Sequence, residues 1–216
     1  RLTDVTGVQT CALPIFTGGD ILAIYGAKIN SAILQGEIWR FITPMFLHGS
    51  ILHIGFNMYA LYSLGTALER HYGNGRFAAL YFLSGFAGNV ISFVLSKSAS
   101  YGASTAVFGL VAAEIVFIWK NKRLFRNARA ALVNTIGIVV INLFIGLSPG
   151  IDNWGHLGGL LGGFAFAWFA GPVWKPDMQL DGIHVVDAVP SDRAWQAGGL
   201  VAFVFVVIAL LKMLAA

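Results

Sequence analysis

Six apolar runs, each near the length a helix needs to cross a bilayer, succeed one another between about residues 51 and 214, parted by short polar turns. Hydrocarbon supplies no water for a backbone N–H or C=O. A chain built this way is therefore confined to helices that close their own hydrogen bonds, or to a closed barrel. Runs of this length exclude the short alternating strands of a barrel and predict an all-α polytopic membrane protein. Composition agrees: 57% of the 216 residues are hydrophobic and 11% are charged, against about 25% charged in a soluble domain. The net charge of +4 is then a matter of loop topology, and no nucleic-acid partner is expected. Cys11 is the single cysteine, so neither an internal disulfide nor a multi-cysteine metal site can form. Histidines and carboxylates do not cluster at ligand spacing, and neither a metal nor an organic cofactor is expected.

Residues 20–47 are interrupted and mixed, which suits an interfacial loop with short helices; Trp39 and Arg40 belong at the level of the lipid headgroups. Helices are expected over about 51–68, 77–96, 103–119, 130–147, 154–174 and 198–214. "KNKRLFRNAR", residues 120–129, carries five cations and marks a cytoplasmic loop. Alternation then makes the 69–76 turn cytoplasmic and puts the 97–102 and 148–153 linkers outside. Residues 175–197 read as a polar cytoplasmic loop, and 198–216 as a C-terminal transmembrane helix. The opening "VTGVQTCALPI" has neither a sustained apolar run nor a signal-peptide pattern. It is the string that a common sequencing-library adapter yields when translated, so residues 1–19 are expected to be a non-native segment.

With that topology, Ser104 in "YGASTAVFG" and His156 in "NWGHLGG" start their helices at the same depth, near the outer face. A packing serine and a structural histidine are the plain alternatives to a nucleophile and its base. Small residues weigh on the choice. Gly102, Ala106, Gly109 and Ala113 form one stripe, and Gly155, Gly159 and Gly163 form another. Such stripes let helices approach closely in lipid. Gly158 and Gly162 open a further side of the second helix. An alcohol and an imidazole must come within about 3 Å to exchange a proton, and close helix axes permit it. His53 and Asn57, four apart, share a helix face from which both can donate hydrogen bonds into the bundle.

Taken together, "EIWRFITPMFLH", "HIGFNM", "GASTAVFG" and "GHLGGLLGG" resemble the rhomboid intramembrane serine proteases, in order and spacing, over about residues 20–171. The resemblance implies a rhomboid-like helical bundle with Ser104 as nucleophile and His156 as general base, a dyad without an acidic third member. It implies an oxyanion site made of His53, Asn57 and the Ser104 N–H. Gly102, Phe108 against the imidazole, Gly159, the Trp39–Arg40 pair and His48 are the supporting residues, and Glu69 is a structural carboxylate. His48, His53 and Asn57 are expected to wet a polar cavity.

Two departures stand out. The family pattern is Gly-x-Ser-Gly, whereas Thr105 follows Ser104 here; its hydroxyl is expected to bond back to a helix carbonyl. The family also has a membrane helix before the Trp-Arg loop, where this chain has no apolar run, so the first native helix is expected to be missing and an extra C-terminal helix present. Glu114, ten residues past Ser104, reads as an interfacial or helix-paired carboxylate.

The resulting expectation is an endopeptidase in a bacterial inner membrane that cuts single-pass transmembrane proteins near their outer end, with the lipid bilayer as its other partner. The sequence sets no oligomeric state. Two rival classes are a catalytically impaired rhomboid-like client-binding protein, which would lack the serine or histidine, and a small transporter. A transporter would favour inverted repeats with broken midplane helices, and the halves of this chain do not repeat.

Overall fold

The computed structural model describes residues 15–16, 21–179 and 182–216. The segment expected to be non-native lies outside the described residues except for β1 (Ile15–Phe16). That strand pairs in parallel with β2 (Leu47–His48). Between them come α1 (Ile21–Gly26), α2 (Asn30–Leu34) and 3-10 turns at Ile38–Phe41 and Thr43–Phe46. This is the interrupted pattern that the sequence predicts for 20–47.

The first long rod begins as α3 (Ile51–Ala60), capped by Ser50, whose hydroxyl accepts the His53 N–H. It passes through a π-helical turn, Leu61–Gly65, into α4 (Thr66–Tyr72). A π turn inserts an extra residue, which apolar periodicity does not reveal. Gly73, with φ +73°, ends the rod in a backbone conformation that favours glycine. The remaining helices are α5 (Asn74–Leu95), α6 (Ser104–Lys120), α7 (Ala128–Ile145), α8 (Asn153–Ala170) and α9 (Ser191–Leu214).

Helices α5, α6 and α8 make the tight centre, α9 lies against α5 and α8, and α7 lies against α6. Missing side chains are what bring the central helices together. A Cβ on Gly159 would sit 2.0 Å from the Thr105 carbonyl oxygen, and one on Gly163 would sit 2.3 Å from that of Gly109. On the other side, a Cβ on Gly158 would meet Ile91 Cβ at 2.6 Å and one on Gly162 would meet Ala87 Cβ at 2.4 Å. The two glycine rows of α8 thus serve α6 and α5 separately. Close backbone approach of this kind replaces the hydrophobic drive that is lost between helices in lipid.

Among the described residues, three helices are long and apolar enough to cross a membrane: Asn74–Leu95, Ala128–Ile145 and Ser191–Leu214. The glycines of α8 lower its hydropathy, α6 has 17 residues, and the π turn divides the first rod.

The stretch read as a loop over 175–197 is largely structured. β3 (Trp174–Gln179) and β4 (Gly182–Asp187) form an antiparallel hairpin, and α9 starts at Ser191 rather than at 198. Pro176 and Met178 face Val185 and Ile183 across the ladder, a period-2 pattern hidden by the polar residues between them. Asp187 closes the hairpin's root: Oδ1 accepts the N–H groups of Val173 and Val189, and Oδ2 pairs with Arg76 at 2.5 Å. Asp192 lies in the first turn of α9, where the helix dipole favours a carboxylate.

Candidate active site

The segment before α6 is held from the loop that precedes α3. The Gly102 N–H donates to the Pro44 carbonyl at 2.8 Å, and the Ala103 N–H donates to His48 Nε2 at 3.4 Å. Gly102 adopts φ +140°, and a Cβ there would lie 2.7 Å from His53 Nε2. Glycine is therefore required both by backbone conformation and by the imidazole beside it. Ser104 follows at once as the first residue of α6.

His156, in the first turns of α8, faces it. Its Nε2 lies 2.9 Å from Ser104 Oγ. Phe108, one turn beyond Ser104, stacks on the imidazole with ring centroids 4.2 Å apart and planes 13° from parallel. His156 Nδ1 has no hydrogen-bond partner among the described residues. The nearby Asp152 carboxylate is otherwise engaged: it caps α8 through the Gly155 N–H at 3.0 Å and accepts the Ser92 hydroxyl. A ring nitrogen at this distance can take the serine proton and return it to a leaving group.

The pair lies on the wall of a cavity of about 690 Å³. His53, Asn57, Tyr101, Gly102 and Phe108 also line it. Asn57 faces the cavity, yet its side-chain amide donates to the His53 carbonyl at 3.0 Å. His48 does not wet this space. It is fully buried behind the segment, edge-on to His53 at 5.0 Å between ring centroids, and its Nε2 is the acceptor for Ala103. Burial and the neighbouring His53 hold the His48 imidazole down at about 4, against a backbone hydrogen bond at Phe46 that raises it. It is thus neutral near pH 7, as an acceptor at Nε2 requires. Among the described residues, no group of three or more His, Cys, Asp or Glu side chains is arranged to hold a metal ion.

The family profile described as the Rhomboid domain matches residues 35–173. Rhomboid-like protease 1 of Toxoplasma gondii is 34% identical over 198 residues, 87% of this chain and 68% of its own length. The chain belongs to the rhomboid family. Rhomboid protease GluP of Bacillus subtilis is 47% identical over 149 residues, covering 68% of this chain and 29% of the relative. RHOMBOID-like protein 6, mitochondrial, of Arabidopsis thaliana is 41% identical over 145 residues, 66% of this chain and 47% of that protein. The chain thus matches less than a third of the Bacillus relative and about half of the Arabidopsis one.

As a rhomboid, the chain is an integral membrane protein with a helical polytopic fold. Its Trp-Arg pair works within the loop between α2 and α3. Arg40 is buried and donates to the Ala27 and Ile24 carbonyls at 2.7 and 2.8 Å, and it pairs with Glu37 at 2.5 Å. Trp39 Nε1 donates to the Tyr25 carbonyl at 3.0 Å. Glu69 is buried in the middle of α4, and Glu114 lies near Thr135 of α7, whose hydroxyl donates to the Ala131 carbonyl at 3.1 Å.

Thr105 corrects one expectation. Its hydroxyl is buried and has no hydrogen-bond partner among the described residues. As the second residue of α6, it has no helical carbonyl three or four positions earlier to bond back to. The branch is accommodated by glycines instead: a Cβ on Gly88 would meet Thr105 Cβ at 2.6 Å, and one on Gly155 would meet its Cγ2 at 3.1 Å. Sequence reasoning also passed over Asn89, whose amide donates to the Phe41 carbonyl at 2.9 Å and ties α5 to the loop. A polar side chain inside an apolar run was its only signal.

Proposed function

We propose that this chain is an intramembrane serine endopeptidase acting on single-pass transmembrane proteins near the outer membrane face. Ser104 Oγ attacks the scissile carbonyl while its proton passes to His156 Nε2. The imidazolium then protonates the departing amine as the C–N bond breaks, leaving an acyl-enzyme on Ser104. Water entering through the cavity hydrolyses that ester, with His156 again as base. The Ser104 N–H, His53 and Asn57 hold the oxyanion, Asn57 turning from the His53 carbonyl to do so. Apo geometry of this kind commonly tightens only around substrate.

The observation that carries this reading is the 2.9 Å approach of Ser104 Oγ to His156 Nε2 on the cavity wall. The basic 120–129 loop supports a cytoplasmic location for the opposite end. The Bacillus relative, at 47% identity, supports a bacterial cell membrane as the location. The test co-expresses the full-length protein with a single-pass membrane substrate, beside Ser104→Ala and His156→Ala. The wild type is expected to cut and both variants to leave the substrate whole. Cleavage that survives both substitutions removes the assignment, and client retention without cleavage by any version establishes the client-binding alternative.

A further inference from the structure

Lys28 is a fully buried lysine at the outer end of the molecule. Its Nζ donates to the carbonyls of Ser98 and Ser96 at 2.7 and 3.4 Å, and to Asn30 Oδ1 at 3.1 Å. Its backbone bridges Ser100 in both directions, at 2.9 and 3.1 Å. Asn30 adds amide bonds to the Phe93 and Ser96 carbonyls at 3.1 and 2.9 Å. Apart from Asn30 itself, which opens α2, all of these partners lie at the end of α5 or in the linker that runs from it to Ser104.

We infer that Lys28 and Asn30 are positioning residues, a clasp that sets the path of the 96–103 linker and through it the placement of Ser104 against His156. This rests on the reading of Ser104 as nucleophile. The linker has little else to define it. Beyond the clasp, the Ser96 N–H bonds locally to the Ser92 carbonyl and the Ser98 N–H to Ser96 Oγ. Among the described residues, the only other bonds that tie the linker to another part of the fold are Gly102 to Pro44 and Ala103 to His48, and Ala103 gives α6 no side-chain cap. The fold alone does not call for an ammonium here. Burying an ammonium is costly unless its donors are all used. No carboxylate lies within ion-pair distance of Lys28 among the described residues. Burial lowers its pKa, and the charge of Asp152 offsets part of that. The donors are spent on linker carbonyls, so their loss displaces the linker and leaves α6 and α8 packed through their glycines. A displacement of about 1 Å at a reacting atom costs up to about a hundredfold in rate.

The experiment uses the full chain in detergent micelles and compares the wild type, Lys28→Met, Lys28→Arg, Asn30→Ala and Ser104→Ala. A fluorophosphonate reads the rate of Ser104 acylation, hydrogen exchange reads the 96–103 amides against those of α8, and thermal unfolding is followed alongside. Lys28→Met keeps the stem and removes the donors. It is expected to slow acylation about tenfold or more and to raise exchange in 96–103 with α8 unchanged; Lys28→Arg recovers part of both. Wild-type acylation in Lys28→Met, with only a lower unfolding temperature, overturns the inference. If Lys28→Met does not fold, Asn30→Ala carries the same expectations. If the wild type and Ser104→Ala label alike, the nucleophile reading fails, and unchanged exchange in 96–103 then overturns the clasp separately.

Discussion

α7 and α8 are helices of 18 residues each, both apolar, and they live in opposite worlds. Half of α8 is buried, including every glycine between Gly155 and Gly163, whereas Thr135 is the single buried residue of α7. α8 is joined to its neighbours by absent side chains. α7 presents Ile, Val and Phe side chains outward and touches the bundle along one flank. In lipid an apolar surface is no reason to associate, so close packing and hydrogen bonds decide which helices form the core. Hydropathy ranks α7 as the better membrane span, and packing makes α8 the better scaffold.

The sharpest way to break this contrast is Gly159→Val. Its Cβ would fall 2.0 Å from the Thr105 carbonyl, a backbone atom that cannot swing away. Destabilisation of about 3 kcal/mol or more is expected, with loss of Ser104 acylation, measured by unfolding in micelles and by fluorophosphonate labelling. Wild-type stability would mean that α6 and α8 are not held by their backbones.

A smaller effect is expected where a side chain, not only backbone, closes the gap. Gly88→Ala meets Thr105 Cβ at 2.6 Å and the Gly155 carbonyl at 2.7 Å, which costs about 1–3 kcal/mol. Combining it with Thr105→Gly should recover part of that loss, and a double-mutant cycle measures how much. Strict additivity would deny the pairing of Thr105 with Gly88.

α7 meets α8 through Asn153, whose amide donates to the Leu143 carbonyl at 3.1 Å. Asn153→Ala should cost about 1 kcal/mol and raise hydrogen exchange at the C-terminal end of α7, leaving α8 protected. Least of all is Gly137→Ala on α7. Nothing lies within 4 Å of the added methyl, and helix propensity predicts up to about 1 kcal/mol of stabilisation. A loss of stability there would show that α7 packs more closely than its exposure implies.

Much of this was legible beforehand, and the reasons differ from case to case. The long helices follow from apolar runs, because lipid leaves the backbone no alternative. The small-residue stripe of α6 and the glycine rows of α8 follow from spacing. Other features left no trace in the pattern. The π turn at Leu61–Gly65 alters hydrogen bonding without altering composition. His48 reads like His53, yet one is buried behind the linker and the other faces the cavity. Lys28 and Asn30 bond to carbonyls 63–70 residues away, and a carbonyl has no side-chain signature.

What the sequence determined by itself is therefore the solvent, the helices and the end of the bundle at which Ser104 and His156 both lie, since these depend on hydropathy, charge and chain alternation. Only the tertiary structure decided which glycine meets which carbonyl, that Thr105 is housed by Gly88, and that a hydroxyl and an imidazole stand 2.9 Å apart. Those are differences of an ångström, set by how whole helices seat against one another, and no local pattern of residues encodes them.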